Sequence, residues 1–135
     1  DTIAIRVPSH PMALQLLTAF GGGIAAPSAN RFGRLSPTRA EHVREELGDA
    51  VSVILDGGES TIGLESTIVA LLDGPPRLLR PGAIRVDQLR ALLPDLEVGP
   101  SPTAPRAPGG LPQHYAPQTR VVIVSTPELE PRIEV

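Results

Sequence analysis

A proline at the end of an apolar stretch sets the strongest constraint on this chain. Ile24 leads into Ala25-Ala26-Pro27-Ser28-Ala29-Asn30, and a proline has no N–H to give to a central ladder, so a strand through Ile24 must stop at Pro27. Ser28 and Asn30 then fall in a strand-end loop that continues through Arg31, Gly33, Arg34 and Ser36. Strand ends are where α/β folds bind ligands. The small side chains leave room, and the loop offers neutral oxygens, amide and guanidinium donors, and a helix start whose free N–H groups favour an anion. That set suits phosphates and a magnesium ion. The same residues would equally make an Asn/Ser turn that only caps structure.

Around this loop the pattern alternates between strands and helices. Thr2 to Val7 places Ile3, Ile5 and Val7 at a two-residue period, predicting a strand with one buried face and Arg6 on the other. Pro11 suits a first helical position, and Met12, Leu14, Leu16, Leu17 and Phe20 form a stripe that Gly21-Gly22-Gly23 stops. His10 reads as a helix-start residue with its ring in solvent, since no paired acid gives it a catalytic task. A second helix opens at Ser36-Pro37, with Thr38 and Glu41 at capping-box spacing, and ends at Leu47-Gly48. Val51 to Leu55 predicts a buried strand, turned by Asp56-Gly57-Gly58.

Glu65-Ser66-Thr67 leads into a further apolar strand through Leu72, and three polar side chains at a strand entrance need partners. Asp73-Gly74-Pro75-Pro76 turns the chain into Arg77-Leu78-Leu79-Arg80, completing a hairpin whose two arginines share a face, or of which one anchors a substrate. Asp87 is placed to cap a short helix through Leu93. From Pro94 to Pro117 seven prolines interrupt a sequence poor in core residues, the composition of a stiff, extended linker. Tyr115, the only tyrosine, lies there beside His114 and either pins the linker to the domain or meets a ligand. A fresh strand starts at Arg120. The resulting division is a domain portion at 1–93, a linker at 94–119 and the start of a second domain at 120–135. The abrupt opening strand and the trailing end read as a segment of a longer protein.

The totals narrow the chemistry. At 135 residues, with 41 % hydrophobic and 20 % charged residues, the composition is that of a soluble globular protein. The net charge of −3 and 2 % aromatic content weigh against a broad nucleic-acid face or stacking platform. Without cysteine there is no thiolate chemistry, and without lysine neither a Walker loop nor a Schiff base. Neither a signal peptide nor a membrane-length apolar run is present, which leaves the cytoplasm as the expected location.

Taken in order, "TIAIRVPSHP", "APSANRFGRLSPT", "LDGG", "GLESTIV", "LLRPGAI" and "APGGLPQHYAP" make the chain resemble the YrdC-like family, specifically its two-domain threonylcarbamoyl-AMP synthases. The resemblance implies a twisted open mixed α/β sheet with helices and a concave face, present here as an incomplete domain. It implies a reaction of ATP, L-threonine and bicarbonate, with magnesium, toward threonylcarbamoyladenosine in transfer RNA, the product passing to a downstream tRNA threonylcarbamoyl transferase. By resemblance, Ser28 and Asn30 meet the phosphates and the magnesium ion as the catalytic pair. Thr2, Ala26, Ser36, Arg80, His114 and Tyr115 join Ser28 in contacting ATP, the last two as a lid. Arg6, Ser66 and Thr67 hold the threonine. The family's lysine-containing phosphate motif would precede Asp1, so this chain alone is expected to form half a site and to be inactive by itself. Gly110-Leu111-Pro112-Gln113 stands where relatives carry basic residues. Competing readings are a carbamoyl-adenylate-forming hydrogenase maturation domain, a YrdC-like module that binds RNA directly, and a silent homologue kept for interaction.

Overall fold

Proline and glycine bracket the first helix, α1 (Pro11–Phe20), as its sequence requires. Pro11 occupies the first turn, and Gly21 takes φ 74°, a left-handed cap whose N–H donates to the Leu17 carbonyl at 2.9 Å. The computed structural model describes residues 2–99, 101, 104, 105 and 107. The second helix, α2 (Ala40–Leu47), ends at Gly48 as expected and runs into a 3-10 turn, Gly48–Ala50. Its start differs from the predicted capping box. Arg39 is the N-cap residue, which leaves Thr38 one position too early for its oxygen to cap the first turn; instead its N–H donates to His42 Nδ1 at 3.4 Å.

The third helix, α3 (Val86–Leu92), begins after Arg85, so Asp87 lies in the first turn and is not the cap. The Arg85 N–H donates to Gln88 Oε1 at 3.0 Å. The Arg85 guanidinium donates to both Asp87 carboxylate oxygens at 3.0 and 2.6 Å, and this holds the Asp87 carboxyl below its ordinary range.

Three short strands make an open mixed sheet in the order β1 (Ile68–Ala70), β2 (Arg77–Arg80), β3 (Glu97–Val98). The predicted hairpin forms: β1 and β2 run antiparallel around the Asp73–Pro76 turn, where Gly74 has φ 104°. Ile68 faces Arg80 but Val69 faces Leu78, so Leu79 is an extra residue that bulges β2 next to Arg80. β3 lies parallel to β2, and α3 supplies the crossover that parallel strands need. Arg77 and Glu97 form an ion pair across this parallel pair. Leu78 and Leu96 are the buried apolar side chains among the described residues, Leu96 being 3 % exposed. Glu97 and Val98, near the start of the 94–119 stretch read as a stiff, extended linker, form a strand paired with β2, and Leu96 before them is buried. Leu96 is apolar enough to be drawn in, and the Glu97 N–H finds the Pro76 carbonyl at 2.9 Å.

Three predicted strands are not strands. Residues 2–7, 24–27 and 51–55 make no ladder among the described residues. Ile3, Ile5 and Val7 are each more than four-fifths exposed and Val53 is 75 % exposed. Alternation and apolar runs tell which residues a strand would bury, but a strand exists only where another backbone supplies hydrogen bonds. No helix among the described residues is long and apolar enough to cross a membrane.

His10 is the exposed N-cap residue of α1, as expected, and it also makes a contact that the sequence does not announce. Its ring lies on the Asp56–Gly58 turn, with Nε2 3.2 Å from the Gly57 carbonyl. A Cβ added to Gly57 would come within 2.7 Å of the ring. Because a surface side chain can swing aside, Gly57→Ala is expected to cost no more than about 0.5 kcal/mol. A thermal melt of the variant matching the parent within about 2 °C checks this.

Candidate functional site

The loop after Pro27 is held by its own carboxamide. Asn30 Nδ2 donates to the Arg31 and Arg34 carbonyls, both at 3.0 Å, which fixes the orientation of the amide and closes the loop into a turn. Glu46 on α2 holds the same loop from outside: it accepts the Arg31 N–H at 3.1 Å and lies 3.6 Å from the Arg34 guanidinium. With Nδ2 committed, Asn30 Oδ1 is left buried without a hydrogen-bond partner. A buried acceptor left unpaired is costly. A hard cation or a donor on a bound ligand would satisfy it. Ser28, two residues earlier, is exposed.

A second group of side chains gathers where Gly63–Thr67 enters β1. Ser36, at the far end of the Asn30 loop, donates its hydroxyl to Glu65 Oε1 at 2.7 Å, joining the two loops. Glu65 Oε2 lies 3.6 Å from Arg80 Nη2. Arg80, beside the β2 bulge, donates from Nε to the Ser66 carbonyl at 2.9 Å and from Nη2 to the Ser66 hydroxyl at 3.2 Å. Ser36, Glu65, Ser66 and Arg80 thus form one connected cluster drawn from three separate stretches of chain. Of the two arginines of β2, Arg77 pairs with Glu97 and Arg80 with this cluster.

Thr67 faces a different task. Its hydroxyl accepts the Ile84 N–H and donates to the Ile84 carbonyl, both at 3.1 Å, fastening the loop after β2 onto the strand entrance. Gly82 makes that approach possible, since a Cβ there would sit 2.5 Å from the Glu65 carbonyl oxygen and the Thr67 nitrogen.

Of the other residues singled out in the sequence, Thr2, Arg6 and Ala26 are exposed, and Arg6 pairs with no acid among the described residues. His114 and Tyr115 lie outside the described residues. Glu46 and Glu65 are the members that sequence reasoning did not identify. For Glu65 the signal was present, an acid at a strand entrance in need of a partner. For Glu46 it was one acid among several on a helix. No group of three or more His, Asp or Glu side chains among the described residues could hold a metal by itself.

A small mixed α/β sheet with a hydrogen-bonded polar junction at a strand entrance is the class of protein this fold and cluster define. Residues 1–82 match the family model of Sua5, YciO and YrdC, whose description is telomere recombination, and residues 84–134 match the threonylcarbamoyl-AMP synthase C-terminal domain. The chain belongs to the Sua5–YciO–YrdC family. It is 41 % identical over 132 residues to a Pyrococcus abyssi threonylcarbamoyl-AMP synthase, covering 94 % of this chain and 39 % of the relative. The Bacillus subtilis threonylcarbamoyl-AMP synthase is 43 % identical, with 91 % of this chain and 37 % of the relative covered. The crystal structure of P. abyssi Sua5 complexed with L-threonine superposes with a TM-score of 0.78 at 42 % identity, over 87 % of this chain and 36 % of that one. A second structure of that protein, with a histidine and the following tyrosine replaced by alanine, gives a TM-score of 0.71 at 43 % identity, over 74 % of this chain and 29 % of that one. The chain spans well under half the length of these relatives.

Proposed function

We propose that this chain carries part of the active site of an L-threonylcarbamoyladenylate synthase. The reaction joins L-threonine, bicarbonate and ATP into threonylcarbamoyl-AMP, for the modification of transfer RNA. The carrying observation is the Ser36–Glu65–Arg80–Ser66 cluster at the strand entrance, in a chain whose fold matches a Sua5 protein complexed with L-threonine. An amino acid and a nucleotide require hydroxyl donors and guanidinium groups held ready, and the cluster supplies both.

Threonine's amine forms a C–N bond to the carbon of bicarbonate with loss of water, giving a carbamate. A carbamate oxygen attacks the α-phosphorus of ATP while the bond to the bridging oxygen breaks and pyrophosphate leaves. Such a step needs positioning and charge neutralisation in place of a covalent nucleophile. Arg6 pairs with the threonine carboxylate, a task suited to a guanidinium with no acidic partner among the described residues. Ser66, and Thr67 through the backbone it fastens, shape the threonine side. Ser28, Ser36 and Arg80 contact the nucleotide, with Thr2 and Ala26 along its edge. His114 and Tyr115 close over it.

Asn30 Oδ1 and the Ser28 hydroxyl are the groups that would hold magnesium, and the unpartnered Asn30 oxygen fits a hard cation. Magnesium bound to ATP neutralises phosphate charge. Among the described residues no acidic or histidine cluster adds to these two groups, and the ATP phosphates would supply further oxygen ligands. The product goes to a tRNA threonylcarbamoyl transferase, and the location is the cytoplasm.

Pyrophosphate release by the full-length protein with ATP, magnesium and bicarbonate, with and without L-threonine and with serine as control, tests the reading. Release that requires threonine is the expected result. Release independent of threonine, or none from a folded protein, would overturn it. In the same assay Asn30→Ala is expected to lower turnover about a hundredfold, because it removes both the loop closure and the unpartnered oxygen. Unchanged turnover in the folded variant would remove Asn30 from the site.

A further inference from the structure

Glu65 is out of place in an anion site. A carboxylate beside the groups assigned to ATP repels phosphate, so its presence needs a reason that outweighs the repulsion. The geometry supplies one. One oxygen, Oε1, accepts the Ser36 hydroxyl at 2.7 Å, and the other, Oε2, lies 3.6 Å from Arg80 Nη2. Both partners are long-range in sequence, one from the Asn30 loop and one from β2. The side chains are sheltered, that of Arg80 being 16 % exposed and that of Glu65 25 % exposed, where an ion pair is screened less than in water. Without Glu65, Arg80 would lose the carboxylate that faces its bonds to Ser66, and the Ser36 hydroxyl would lose the acceptor that aims it.

Resting on the synthase reading above, we infer that Glu65 is a positioning residue. Its carboxylate holds Ser36 and Arg80 in fixed register with each other, so that hydroxyl and guanidinium meet the nucleotide together. It touches no reacting atom and acts through Ser36 and Arg80.

This role has a kinetic signature that a merely structural one lacks. Glu65→Gln keeps the shape and an acceptor for Ser36 but removes the charge facing Arg80. Loss of positioning lowers the rate of the chemical step, while loss of the repelling charge favours ATP binding in the ground state. In the full-length protein, Glu65→Gln is therefore expected to reduce kcat about tenfold with KM for ATP within about twofold of the parent or lower. The melting temperature should stay within about 2 °C. Added to Arg80→Ala, the same substitution should cost less than about twofold more, because the group it acts through is gone.

A parent protein with threonine-dependent pyrophosphate release and an unchanged kcat in Glu65→Gln would overturn the inference alone. So would full additivity with Arg80→Ala, or a loss explained by a falling melting temperature. A parent that releases no pyrophosphate would overturn the synthase reading and this inference with it.

Discussion

Replacing Arg80 by lysine is expected to lower threonine-dependent pyrophosphate release about ten- to hundredfold while the protein stays folded. Arg80 uses two different nitrogens at once: Nε binds the Ser66 carbonyl at 2.9 Å, and Nη2 reaches both the Ser66 hydroxyl at 3.2 Å and Glu65 at 3.6 Å. A lysine ammonium is a single point and cannot reproduce that fork. Losing the equivalent of one charge-assisted hydrogen bond, worth about 1.5–3 kcal/mol, gives roughly the stated range when the loss is felt in the transition state. Charge is conserved, so the variant separates geometry from electrostatics. Retention of parental turnover in Arg80→Lys would show that only the positive charge matters, and the role of the Ser66 and Glu65 contacts would have to be abandoned.

Gly82→Ala is expected to be the most damaging single substitution for the structure around the site. The added Cβ would lie 2.5 Å from the Glu65 carbonyl oxygen and the Thr67 nitrogen, and 2.8 Å from the Thr67 hydroxyl. Two of these three atoms are backbone, which cannot swing aside as the His10 ring can beside Gly57. The loop after β2 must then move off the strand entrance, breaking the paired Thr67–Ile84 bonds and shifting Glu65 and Ser66 relative to Arg80. Overpacking of this kind costs about 1–3 kcal/mol. A lowered melting temperature together with turnover reduced more than about tenfold is the expected outcome. A variant with parental stability and parental turnover would show that the close approach of these two loops is not needed.

The contrast between these two glycines shows why the site was only partly legible. Nothing in the sequence distinguishes Gly57 from Gly82 as a steric constraint, because each follows a turn-forming residue. The difference lies in which neighbour arrives from a distant part of the chain, a flexible ring in one case and backbone in the other. Glu65 carries the same lesson. Three polar residues at a strand entrance announced a need for partners, yet Ser36 and Arg80 lie 29 and 15 positions away and no local rule selects them.

Local chemistry decided what local chemistry controls. Pro11 and Gly21 set the ends of α1, Gly48 stopped α2, and Asp73-Gly74-Pro75-Pro76 turned the hairpin, because each depends on φ preference or a missing N–H within a few residues. The ordered motifs carried the family, which residues 1–82 confirm. Pairing was the part that tertiary structure alone decided. The alternating residues 2–7 and the apolar residues 51–55 have strand-like patterns but form no ladder among the described residues, whereas Glu97–Val98, hidden in a proline-rich stretch, pairs with β2. Side-chain pattern states which face a strand would bury. A ladder also requires a second backbone within hydrogen-bonding distance, and that depends on how the whole chain is arranged in space.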